Sequence, residues 1–227
     1  MPIIDLSATI RNSPPGTMEA VRVDLANHDH ALGAAQIQAL FQVPAALLRN
    51  GEGWATDTFT RLGTHDTTHV DAPWHYNSVI QGQPAQTIDA LPLEWFFAPG
   101  VVLDMRHKED GDAVRVEEAQ AALESSGHTL RPGDIVLVHT GRDAFYDQPD
   151  YLFRGPGVTP EATRWLYDQG VRVMGIDAWG WDAPLDRQAR AALTRQEAGV
   201  FWAAHQLDLP YCQIERLVNL AALPPSG

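Results

Sequence analysis

Three of the chain's nine histidines fall within eleven residues, inside the segment Gly63-Thr64-His65-Asp66-Thr67-Thr68-His69-Val70-Asp71-Ala72-Pro73-Trp74-His75. This crowding constrains the fold, because such side chains act together only where the backbone brings their donor atoms to one point. Imidazole nitrogen and carboxylate oxygen both bind zinc or manganese, and a catalytic ion keeps one position open. His65 and His69 are four apart, so a helical turn puts both rings on one face. Asp71, two past His69, lies on the same side of an extended chain. Pro73 disfavours helix at Ala72, so the segment is expected to pass from a helical bend into extended chain there. His75 is a candidate general base or a further ligand. The alternative is a surface loop of solvated polar residues, which accounts for one isolated histidine better than for three beside an aspartate.

The rest of the sequence narrows the class of protein. A length of 227 residues suits one domain with a sizeable core, assigned here to residues 1–227. Sixteen basic and 29 acidic residues give a net charge of −13, which makes nucleic acid and anionic membrane surfaces poor partners. No run of 18 apolar residues is present, and Met1-Pro2-Ile3-Ile4-Asp5 lacks the basic start of a leader. One cysteine, Cys212, allows no internal disulfide and reads as a small buried residue in a reducing, cytoplasmic setting. Strands are expected at Val21–Leu25, Val101–Leu103, Ile135–Val138 and Val171–Ile176. Helices are expected over Val116–Glu124, stopped by Gly127, from Thr159-Pro160 to Gly170, and from about Arg187 to Gln206. Helices and strands alternate in the second half, which predicts a mixed α/β domain. His28 and His30 read as a solvated turn, His107 and His128 as turn residues, and His139 as a hydrogen-bonded core histidine.

At the histidine segment the sequence resembles the cyclase-like metal-dependent hydrolases, the family of bacterial kynurenine formamidase and isatin hydrolase. Their signature His-x-Gly-Thr-His-x-Asp-x-Pro-x-His stands here as His65-Asp66-Thr67-Thr68-His69-Val70-Asp71-Ala72-Pro73-Trp74-His75, with Thr67 in place of glycine. Ile3-Ile4-Asp5-Leu6-Ser7 is similar to the family's opening strand. Pro132 to Leu137 with Thr140-Gly141, Gly175-Ile176-Asp177, and Ile214-Glu215-Arg216-Leu217-Val218-Asn219-Leu220 are similar to later elements, in the same order. The resemblance implies a single-domain swivelling β/β/α cyclase-like fold with a mixed sheet flanked by helices. It implies that His65, His69 and Asp71 ligate a divalent metal, manganese or zinc, and that His75 is catalytic. It also implies that His205 and Glu215 complete the site, as second-metal ligands where two ions are bound. From the residues alone His205 would be a core histidine on a helix and Glu215 a solvated charge.

The same resemblance implies hydrolysis of an amide or lactam carbonyl, such as an isatin-like cyclic amide or an N-formyl aromatic amine, by a metal-activated water. A lactone or ester hydrolase on the same metal core is the alternative, and a non-catalytic metal-binding protein is the reading from another class. A small, aromatic substrate and a homodimer or homotetramer go with it. Trp74 is a candidate wall for a flat substrate. Trp179 and Trp181 lie in a loop-like stretch ending at Pro184 that could close over the pocket. Gln213 alternates with Glu215 and faces the same side if this stretch is extended, and its resemblance to a polar residue of the isatin-hydrolase-like branch implies that it orients substrate or metal-bound water.

Overall fold

The computed structural model describes residues 3–227, so Met1 and Pro2, the start of the segment read as carrying no leader, lie outside the described residues. The chain divides into two compact units, Thr9–Asp66 and Thr67–Gly227, the latter joined by the described residues up to Ala8.

In the Thr9–Asp66 unit, β1 (Asp24–His28) leads into α1 (His30–Phe41), and β2 (Thr56–Arg61) returns antiparallel to β1. The strand expected at Val21–Leu25 therefore starts later, and His28-Asp29-His30 is a strand end and helix start rather than a solvated turn. Asp29 caps α1 by accepting from the Leu32 amide at 2.9 Å. The helix crosses the chain entering β2 at Gly33, where a Cβ would sit 1.8 Å from the Trp54 carbonyl oxygen, so only glycine fits.

The larger unit begins with β3 (His69–Asp71), α2 (Pro73–Tyr76) and a short hairpin of β4 (Val79–Ile80) and β5 (Gln83–Pro84). There follow β6 (Gly100–Asp104), β7 (Ala113–Val114), α3 (Val116–Ser126), β8 (Ile135–His139), β9 (Gly157–Val158) and α4 (Pro160–Asp168). The last elements are β10 (Val173–Ile176), α5 (Leu185–Arg195) and β11 (Cys212–Glu215). Five strands make a mixed sheet in the order β3-β11-β10-β8-β6, parallel except where β3 joins β11 antiparallel.

Both faces of that sheet are covered, which is why β8 and β10 read as continuous apolar runs. Val101, Leu103, Val136, Val138, Met174 and Ile176 belong to one cluster with Ala119 of α3 and Leu166 of α4. Leu137, Leu217 and Leu220 form another on the opposite side. Gly175 is forced by this packing, since a Cβ would come within 2.8 Å of Leu137 and Leu217. One residue on, buried Asp177 accepts from the Thr140 amide and hydroxyl and the Gly141 amide at 2.6–2.7 Å, tying the end of β10 to the turn after β8.

Two helices start and stop where their caps predict. Thr159 accepts from the Ala162 amide at 3.2 Å with Pro160 as the first helical residue, and Gly127 ends α3 in the left-handed conformation. The opening segment Ile3–Ser7 is not a strand. It runs beside Val218-Asn219, with the Val218 amide donating to the Leu6 carbonyl at 2.9 Å. The helix expected to reach Gln206 ends at Arg195, where Gln196 turns left-handed. Among the described residues no helix is long and apolar enough to cross a membrane.

Candidate metal centre

The register of β3 against β11 builds the site. Asp71 stands opposite Gln213, Val70 opposite Ile214, and His69 opposite Glu215. Because side chains alternate along a strand, one face of the pair presents His69, Asp71, Gln213 and Glu215 together. The other face presents Val70, Cys212 and Ile214 to an apolar cluster. A slip of one residue would exchange the two sets, and burial of the apolar set fixes the register.

His205 completes this cluster from the chain before β11. Its Nε2 lies 3.3 Å from Glu215 Oε1 and 4.0 Å from Asp71 Oδ2. His69 Nε2 lies 3.2 Å from Asp71 Oδ1 and 3.8 Å from Glu215 Oε2. One ligand atom each from Asp71, His205 and Glu215 fall within 4.8 Å of one another. Each imidazole is held from its far side. His69 Nδ1 donates to the Thr67 carbonyl at 2.7 Å, and His205 Nδ1 lies 2.5 Å from Asp182 Oδ2. An imidazole whose Nδ1 hydrogen is taken in this way offers Nε2 to a metal.

This donor set suits a divalent cation. Two buried carboxylates face each other across two imidazole nitrogens, and a cation between them offsets charges that are costly away from water. The histidines show the same demand. Burial opposes a proton on His205, yet the carboxylates of Asp182 and Glu215 outweigh it and raise the ring to about 10. Burial likewise opposes a proton on His69, and Asp71 with Glu215 carries it upward. A proton there stands where the metal's charge would.

Other expected site residues fall into place differently. His65 lies in the Thr9–Asp66 unit, with Nδ1 2.9 Å from the Thr64 hydroxyl. The predicted order of backbone shapes is reversed. His69–Asp71 is extended, Ala72 remains extended, and helix begins at Pro73, where proline suits the first helical position. His75 sits in α2, half-buried, with its ring centroid 5.4 Å from Trp202 and 6.4 Å from His205. Trp74 is 56% exposed. Trp179 lies beneath the Arg216 guanidinium, 3.2 Å from its ring centroid, and edge-on to Tyr151.

Trp181 does not present its ring to the site. The ring is fully buried and donates Nε1 to the Thr163 hydroxyl at 2.8 Å, while its backbone amide donates to Glu215 Oε1 at 2.7 Å.

Two residues of the site escaped the sequence reading. Asp182 takes the amides of Ala204 and His205 at 2.9 and 3.0 Å as well as the His205 ring. Trp202 stacks on His205 at 5.1 Å and 15°, its amide held by the Gln188 side chain at 2.7 Å. No local pattern marks either one.

Paired imidazoles converging on paired carboxylates, carried on the edge of a mixed α/β sheet, define a candidate metal centre in an α/β protein. Comparison with known proteins gives the family. A family model, "Cyclase: Putative cyclase", matches residues 4–183, and the chain belongs to this Cyclase family. It is 31% identical over 126 residues to the kynurenine formamidase of Salinibacter ruber, covering 56% of this chain and 52% of that one. It is 28% identical over 131 residues to the isatin hydrolase of Roseibium aggregatum, covering 54% and 49%. The match thus spans about half the length of these curated relatives. Its fold is similar to isatin hydrolase A from Ralstonia solanacearum, with a TM-score of 0.69 at 22% identity over 99% of this chain and 82% of the other.

Proposed function

We propose that the chain is a metal-dependent hydrolase that cleaves an amide or lactam carbonyl in a small, aromatic substrate. One observation carries this reading: the register that sets His69 and Asp71 of β3 against Glu215 and Gln213 of β11, with His205 closing the cluster. His65, His69, Asp71, His205 and Glu215 are the proposed ligands of one or two manganese or zinc ions. His65 enters on its spacing and its place in the family's motif. Residues 1–227 are treated as one functional domain, because His65–His75 runs across the border between the two units and the family match is unbroken from 4 to 183. A cytoplasmic setting accords with the free, buried Cys212. A homodimer or homotetramer accords with Leu40, Phe41 and Leu47, apolar and exposed in the Thr9–Asp66 unit.

A divalent ion held by these residues would supply a water of lowered pKa and Lewis-acid polarisation of the carbonyl. The chain's own residues do the rest. Asp182 and the Thr67 carbonyl fix the tautomers of His205 and His69, and the Trp181 amide holds Glu215. His75, edge-on to His205 with 6.4 Å between ring centroids, takes the proton of the attacking water and passes it to the leaving nitrogen. Trp74 and Trp179 are the proposed aromatic contacts for substrate.

The test is a panel of isatin, N-formylkynurenine and simple lactones, assayed with zinc and with manganese. Turnover of the lactam or formamide is expected, abolished by a chelator and restored by the metal. Turnover of lactones alone would move the assignment to the ester-cleaving alternative. A fully loaded protein that turns over nothing would favour a non-catalytic metal-binding protein.

Asp182 gives a further prediction. Asp182 accepts three hydrogens, whereas an asparagine amide has one acceptor oxygen and would turn an NH2 group toward the chain amides or the His205 ring. Asp182→Asn is expected to weaken metal binding about 10–100-fold, read by competition with a chromogenic chelator. Unchanged affinity would show that His205 needs no such anchor.

A further inference from the structure

Gln213 carries a buried acceptor oxygen. The residue is 0% exposed, and among the described residues its Oε1 has no hydrogen-bond partner. The orientation of its amide is fixed by bookkeeping of hydrogens. The Tyr211 hydroxyl has one hydrogen and lies 2.8 Å from the Ala204 carbonyl oxygen, which can only accept, so that hydrogen is committed. Tyr211 must then accept from Gln213, whose Nε2 lies 2.5 Å away. The NH2 end is therefore held on Tyr211, and Oε1 is left facing outward from that bond.

The strand register says where that acceptor sits. Gln213 stands opposite Asp71 and shares a face with Glu215, two residues on. An acceptor oxygen beside two carboxylates is repelled by them unless a donor lies between, and an unsatisfied buried carbonyl costs free energy. Buried acceptors of this kind are commonly satisfied by water.

We infer that Gln213 is a positioning residue for the attacking water, its Oε1 accepting one of that water's hydrogens and so turning a lone pair toward the carbonyl. Tyr211 acts through Gln213 by preventing the amide from flipping. The inference rests on the hydrolase reading above and adds a residue to it.

Gln213→Met keeps the side-chain length and removes the acceptor. It is expected to bind manganese as the wild type does and to melt no lower when metal-free, because a buried polar group is exchanged for an apolar one. Its kcat is expected to fall about 10²-fold, the effect of a misplaced reactant, equally on lactam, formamide and lactone and with KM unchanged. The relaxation that bound manganese imparts to solvent water protons is expected to change as well. Tyr211→Phe is expected to lose part of this rate, and to lose nothing further in the Gln213→Met background. A fall confined to substrates bearing an N–H would make Gln213 a reader of substrate and overturn the inference. Loss of manganese would make it a ligand, with the same consequence, and wild-type rates and relaxation would also overturn it. A wild-type protein that binds manganese but turns over no panel member removes the hydrolase reading, and the relaxation comparison then decides Gln213 alone. A wild-type protein that binds no manganese removes both.

Discussion

Replacing Asp71 with asparagine is expected to strip the protein of its metal. Asp71 is the carboxylate nearest to His69 Nε2, at 3.2 Å, and also lies 4.0 Å from His205 Nε2, and its side chain is wholly buried. Asparagine keeps the shape and removes the charge, so the change tests the electrostatic demand rather than the packing. The loss should exceed the 10–100-fold expected at Asp182, which meets the cluster only through the far side of the His205 ring. Thermal stability offers a direct reading. A ligand at 100 times its dissociation constant stabilises the folded state by about 2.7 kcal/mol, and a 100-fold weaker site at the same concentration gives about 0.4 kcal/mol. The metal-induced rise in melting temperature should therefore nearly vanish in Asp71→Asn, and turnover with it. A variant that retains its metal through gel filtration and still shows the full rise would remove Asp71 from the ligand set.

The parts of this molecule that were legible in the sequence are those whose cause is local. The apolar runs of β6, β8 and β10 are visible because a strand covered on both faces has no polar alternation. Thr159-Pro160 and Gly127 announce helix ends because caps act over three or four residues. No helix was expected at α1, because its apolar residues form no clear stripe and His28-Asp29-His30 reads as a turn. The long helix expected to reach Gln206 failed for a tertiary reason. Beyond Arg195 the backbone finds partners elsewhere: Gln188 takes the Trp202 amide, and Asp182 takes those of Ala204 and His205. Those bonds bend the chain, with Trp202 left-handed at φ 60°, and they deliver His205 to the cluster.

The site divides along the same line. His69 and Asp71 declare themselves because two proposed ligands on one strand need only the alternation of a β chain. Glu215 and Gln213 depend on a pairing that spans more than 140 residues, which no local rule predicts, and without the family resemblance Glu215 would have read as a solvated charge. Asp182 was invisible for a further reason: its importance lies in three hydrogens donated by residues 204 and 205. The mistaken role for the Trp181 ring shows the opposite hazard. A tryptophan beside a loop-like stretch suggested a pocket wall, whereas its ring is core and its amide is what meets Glu215.

His75→Ala is expected to separate chemistry from metal binding. The histidine is aimed by its local sequence: Ala72 stays extended, Pro73 starts α2, and the His75 amide closes the turn on the Ala72 carbonyl at 2.8 Å. Its ring then packs on Trp202, 5.4 Å between centroids, which is itself stacked on His205. This places an imidazole beside the cluster in a separate layer of rings, suited to moving a proton near the attacking water. Loss of a positioned general base costs about 10²–10⁴-fold in rate, equivalent to about 2.7–5.4 kcal/mol of transition-state stabilisation. Metal content and the metal-induced rise in melting temperature should stay as in the wild type. His205→Ala should lose all three together, because that residue holds the cluster. Added imidazole should return part of the activity to His75→Ala and none to His205→Ala. If His75→Ala instead leaves the column without its metal, His75 is a ligand, and the proton must be carried by another group.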